Sequence, residues 1–98
     1  MVRTLSKLID KVTWDILVAL KQQQEGLRFN EISRIVDATD PVISDRLKVL
    51  KKYDLVRVIL RFDERTERHF FVHVITAKGV KILEKYKLKQ LMRELEKL

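Results

Sequence analysis

The sequence predicts an α+β, mainly α fold: a three-helix core, a β-hairpin and a long C-terminal helix. Apolar residues recur at helical spacing over residues 4–24, 30–36, 40–52 and 77–98, and alternate with other residues between Val56 and Val74. Only two Gly and one Pro interrupt the chain. With 98 residues and 46% apolar content there is enough material for one core but not two, so residues 1–98 are expected to form a single domain.

Leu5, Leu8, Ile9, Val12, Ile16 and Leu20 make one stripe, which predicts a first helix from about Thr4 to Gln24, ended by Gly26. Trp14 lies beside that stripe and is expected to pack against a neighbouring helix or a partner subunit. Leu27-Arg28-Phe29 has the length of a small strand. Asn30 to Val36 predicts a brief second helix, with Asn30 as cap and Ile32, Ile35 and Val36 inward. After the linker Asp37-Ala38-Thr39, Asp40-Pro41 is a good start for a third helix: Asp can cap free N–H groups and Pro fits the first helical position. In that helix Ile43, Leu47 and Leu50 share one side, whereas Ser44, Asp45, Lys48 and Lys52 project the other way. Two short helices joined so tightly have the layout of a helix-turn-helix.

From Leu55 the period falls to two. Val56, Val58, Leu60 and Phe62 alternate with Arg57, Ile59 and Arg61, and Phe70, Val72 and Val74 alternate with His69, Phe71 and His73. The polar stretch Asp63 to Glu67 between them predicts a turn, and hence a hairpin. The last helix starts near Thr76 or Ala77. Val80, Leu83, Leu88, Leu91, Leu95 and Leu98 form a broad stripe, with Ile82 and Tyr86 nearly opposite. A helix apolar on two sides has to be covered twice. The 3, 4, 3 spacing from Leu88 to Leu98 is the step of a coiled-coil seam. The expected self-association surface is therefore Leu5, Leu8, Leu88, Leu91, Met92, Leu95 and Leu98.

The net charge of +7 and pI near 9.9 favour a polyanionic partner. The distribution is more telling than the total. Residues 46–61 hold six basic and one acidic side chain (+5), while residues 21–45 hold three basic and five acidic (−2). Positive charge thus gathers on the third helix and the strand after it. A helix held by leucines on one side and cationic on the other suits the major groove of double-stranded DNA.

Several function classes are excluded or disfavoured. With no cysteine there is no disulfide, thiolate zinc site or thiol sensor. The longest unbroken apolar run, Ile16 to Leu20, is far short of a membrane span, and the N-terminus lacks the pattern of a signal peptide, so the expectation is a cytoplasmic protein. His69 and His73 share a strand face, but two His without an adjacent carboxylate pair rarely suffice for a metal. The Ser and His residues form no triad, and neither a phosphate loop nor an H-E-x-x-H motif occurs. No enzyme, metal or cofactor is expected.

Three segments carry a resemblance to a known group of proteins. RLKVLKKYDLV (Arg46–Val56) resembles the end of the recognition helix and entry to the wing in MarR, ArsR and HxlR-type transcriptional regulators. ITAKGVKILE (Ile75–Glu84) resembles the strand-to-helix junction after their wing, with Thr76 and Gly79 matching. LRFNEISRIV (Leu27–Val36) is similar to the HxlR type. Together they cover roughly residues 14 to 86 and imply a winged helix-turn-helix. At position 54, where such proteins usually have Gly, Asp54 must take the left-handed turn. The N-terminal cysteine typical of HxlR proteins is absent, so its sensing chemistry is not implied.

The resemblance implies a dimeric transcription regulator with one recognition helix per protomer in the major groove of a pseudo-palindromic site. On that reading Pro41, Val42, Ser44 and Asp45 lie on or beside the base-facing side, and Lys48, Lys51 and Lys52 grip phosphates. Arg46 is more lateral, as fit for a helix-surface ion pair as for a base. In the wing, Arg65 and Arg68 suit a minor groove or phosphates and Arg61 could support them, although Asp63, Glu64 and Glu67 dilute the charge. A DNA-coating protein of chromatin type and a winged-helix module for protein partners both remain open. A small-molecule effector could enter between the first and last helices, but no polar cluster marks a site for one.

Overall fold

The computed structural model describes residues 10–97. In chain order they form α1 (Lys11–Gln22), α2 (Phe29–Ile35), α3 (Asp40–Lys52), β1 (Val56–Asp63), β2 (Arg68–Ile75) and α4 (Ala77–Glu96). This is the expected α+β arrangement, mainly helical, with the hairpin between the third and fourth helices.

α1 begins at Lys11, not Thr4. Asp10 is its N-cap: the backbone there is extended (φ −80°, ψ −178°) and Oδ1 accepts a hydrogen bond from the Thr13 N–H at 2.9 Å. Leu5, Leu8 and Ile9 of the expected stripe fall outside the described residues. The C-terminal end also comes early, at Gln22. Gly26 then turns the chain at φ +98°, where a Cβ would meet the Val72 and Val74 side chains at 2.8–2.9 Å.

α2 starts at Phe29, and its cap position is Arg28 rather than Asn30. The Glu31 carboxylate reaches back to accept the Arg28 N–H at 2.9 Å. Ile32 and Val36, four residues apart, are buried, and this leaves Ile35 on the flank, 58% exposed rather than inward. In α3, Asp40 is the first helical residue, the cap position is Thr39, and Pro41 sits in the first turn. The Asp40 carboxylate does not cap; it accepts a hydrogen bond from the Ser33 hydroxyl and so ties α3 to α2.

The core is built by Ile16, Leu17 and Leu20 of α1, Ile32 and Val36, and Ile43, Leu47 and Leu50 of α3. Leu55, Val56 and Leu83 close it. Trp14 and Ile82 pack on its edge, as expected of the tryptophan. Asp54 does adopt the left-handed conformation (φ +59°). The turn it makes is fastened to α4: the Thr76 hydroxyl donates to the Asp54 carbonyl at 2.6 Å and accepts from the Gly79 N–H at 3.0 Å. The Thr76 N–H donates to the Leu55 carbonyl at 3.0 Å.

β1 and β2 are antiparallel, with Val58 opposite His73, Leu60 opposite Phe71 and Phe62 opposite His69. The small strand expected at Leu27 is a single bridge, in which Leu27 and His73 exchange backbone hydrogen bonds of 3.0 and 2.7 Å. Among the described residues no helix is long and apolar enough to cross a membrane.

Candidate nucleic-acid interface

α3 presents two unlike sides. Ile43, Leu47 and Leu50 are no more than 2% exposed, which fixes the helix to the body. Pro41, Asp45, Lys48, Lys51 and Lys52 are exposed, and Val42 and Ser44 are half-buried at the margin. No described carboxylate pairs with Lys48, Lys51 or Lys52. The lysine ammoniums are therefore held on a rigid helix with their charge uncompensated, an arrangement that attracts phosphate.

Arg46 has a different role. Its Nε and Nη2 both lie 2.8 Å from Asp10 Oδ2, and Nη1 lies 2.9 Å from Asp45 Oδ2. Partial burial pushes the Asp10 carboxyl up, but the hydrogen bonds it accepts and the Arg46 charge outweigh this and hold it below its ordinary value. The same pairing raises Arg46. The arginine thus joins α3 to the start of α1, and Asp45 shares it. Asp10 is not among the residues expected from the sequence; its signal there is an Asp immediately before the helical residues.

In the hairpin, Arg65 and Arg68 are exposed at the turn, and neither guanidinium is ion-paired among the described residues. The Arg65 N–H donates to Asp63 Oδ1 at 2.9 Å, which orders the turn. Arg61, opposite Phe70 and on the same hairpin face as Arg68, lines an open cleft of about 450 Å³ with Arg28, Arg34, Glu31 and Phe70. The Arg28 guanidinium stacks 3.9 Å from the Phe70 ring centroid. Arg28 and Arg34 carry no signal in the sequence, because long-range contacts such as the Leu27–His73 bridge bring that segment to the hairpin.

His73 lies near Lys51. Burial, with the Lys51 charge adding to it, pushes the imidazole below its ordinary range against a smaller opposing effect from the Leu27 backbone. On α4, Leu88, Leu91, Met92 and Leu95 are 49–67% exposed, while Leu83 is buried. Leu98 lies outside the described residues.

Residues 12–96 match the family model described as a winged helix DNA-binding domain. Among solved structures, the chain is similar to a mutant of S. aureus MepR, at 25% identity and TM-score 0.69 over 97% of this chain and 67% of that one. It is similar in fold to the S. aureus MepR–DNA complex, at 23% identity and TM-score 0.65 over 97% of this chain and 82% of that one. It is also similar in fold to a PadR-like transcriptional regulator from Bacillus cereus, at 21% identity and TM-score 0.71 over 86% and 84%. The chain spans 67% and 66% of the first two MepR chains it matches. No curated protein matches it.

Proposed function

Because the chain belongs to the winged helix DNA-binding domain family, we propose that it is a transcription regulator that binds a pseudo-palindromic duplex site as a homodimer. The observation that carries this reading is the polarity of α3, with three apolar anchors at 0–2% exposure on one side and, on the other, three exposed lysines that pair with no described carboxylate. On this reading α3 enters the major groove. Ser44 and Asp45 then face base edges, with Pro41 and Val42 beside them, and Lys48, Lys51 and Lys52 take phosphates. Arg65 and Arg68 at the hairpin tip reach the minor groove or its phosphates. Arg61 supports them from the cleft side, and Arg46 acts by holding α3 in place. That a MepR structure of similar fold is a complex with DNA supports the choice of partner.

The homodimer forms through the exposed side of α4, at Leu88, Leu91, Met92 and Leu95. The resulting twofold sets the two half-sites about 34 Å apart. The test is a competition at fixed salt between DNA from upstream of the protein's own gene and a scrambled duplex of equal length. A regulator prefers its site by roughly 10³-fold or more. Equal affinity for both would replace sequence-specific control with non-specific coating of DNA.

A further inference from the structure

β1 has an open edge. Its other side pairs with β2, but beyond Val56 none of the backbone hydrogen bonds among the described residues reaches the far side of the strand. It is eight residues long, VRVILRFD, with neither the Pro nor the bulge by which proteins usually blunt an edge. The hairpin face to which it contributes is apolar and uncovered: Val58 is 40% exposed, Leu60 54%, Phe62 51% and Phe71 63%. An open edge beside a bare apolar face is a template for another strand.

The sequence of β1 chooses the strand. When β1 is laid antiparallel on a second copy of itself with Leu60 opposite Leu60, Arg57 falls opposite Asp63 twice, and Val58 falls opposite Phe62 twice. Centring instead on Ile59 sets Arg57 against Arg61, and centring on Arg61 sets Arg61 against itself; both oppose like charges. Centring between two residues places the apolar face of one hairpin beside the charged face of the other. Centring on Val58 brings no opposite charges together, and centring on Phe62 sets Arg61 against Asp63 but pairs only residues 61–63 of the strand, so the Leu60 register alone matches both charge and apolarity over most of β1. We propose that β1 is a self-recognition edge, by which two copies of this chain join their hairpins into a four-stranded antiparallel sheet about a twofold axis at Leu60. The turn at residues 64–67 lies beyond the paired span, so the contact leaves Arg65 and Arg68 exposed. Combined with a separate twofold contact on α4, it would link dimers into a closed dihedral assembly such as a tetramer where the two axes intersect at a closing angle, and into an open row where they do not.

The chain has no cysteine, so the register can be read by single-cysteine cross-linking. Residues directly opposite in an antiparallel pair have Cβ atoms about 5 Å apart, within the reach of a disulfide. Under mild oxidation the Leu60→Cys variant should form covalent dimers at least about tenfold faster than Ile59→Cys, whose twin lies diagonally, roughly 7–8 Å away. The two rates should become equal in denaturant. Equal mixtures of the Val58→Cys and Phe62→Cys variants should give mainly mixed dimers. Equal rates for Leu60→Cys and Ile59→Cys in the native protein, or a random mixture of dimers from the second pair, would overturn the proposal. Neither readout depends on DNA or on the α4 contact.

Discussion

Arg46 on α3 and Asp10 at the start of α1 are joined by two guanidinium nitrogens, each 2.8 Å from one carboxylate oxygen. Asp10 uses its other oxygen to cap α1 through the Thr13 N–H. One carboxylate therefore starts the first helix and restrains the third. Replacing it by Ala removes an N-cap, which costs about 1–2 kcal/mol, plus a smaller contribution from the partly solvated ion pair. The expected result is a lower urea midpoint for Asp10→Ala. Arg46→Ala should lower it less and leave the salt dependence of DNA binding near that of the parent. The Asp10 carboxyl lies below its ordinary value when folded, so its contribution is complete above the unfolded carboxylate range. It is lost as pH falls through the folded value.

Gly79 is required by the approach of α4 to the Asp54 turn. A Cβ there would strike the Leu55 carbonyl oxygen and crowd the Ile75 side chain. Gly79→Ala normally favours a helix, but here the overlap should dominate and destabilise by about 1–3 kcal/mol. Thermal unfolding checks this; a higher melting temperature would show that the Thr76–Asp54 junction can open at no cost.

His73 gives the fold a pH dependence. Its folded pKa is lowered, so the unfolded chain takes up the proton first. Stability should be full above the unfolded value near 6.5 and should fall as pH drops through it towards the folded value. Melting temperatures between pH 7.5 and 5.5 should show this decline, and His73→Asn should flatten it.

The α4 stripe is tested by mass. The paired substitutions Leu91→Glu and Leu95→Glu place charges on residues that are already 49% and 67% exposed, so the monomer fold should survive. Light scattering should then show the loss of the α4-mediated dimer. An unchanged mass would remove α4 from the assembly.

Much of this arrangement is legible in the sequence because local signals and burial agree. Ile43, Leu47 and Leu50 are spaced for one helix face and are buried; Val56 begins a two-residue alternation and begins β1. The left-handed turn at Asp54 follows from the motif around it. Other features depend on long-range contact. Asp10 interrupts an apolar stripe that continues in register on both sides, so periodicity alone runs the helix through it. Ile35 has the right residue type and spacing for a core, but the helix ends there: Val36, in extended backbone, takes the inward place and Ile35 is left exposed. Alternation in β1 finds the strand without revealing that neither face is covered beyond Val56. Arg61 shares the hairpin face of Arg68, but the cleft it lines with Arg28 and Arg34 exists only because α2 folds against the hairpin, which alternation does not reveal.

The central claim is that the lysines of α3 meet phosphate, and the salt dependence of duplex binding measures it directly. With about eight phosphate contacts per dimer, affinity should fall ~10⁴-fold between 50 and 200 mM salt. Lys48→Glu with Lys52→Glu, which removes two cations from each protomer, should abolish binding without unfolding the protein. Neutral Lys48→Gln with Lys52→Gln should lower the slope of log affinity against log salt by about four. A parent protein whose affinity does not change with salt, or a glutamate variant that binds as well as the parent, would contradict the account.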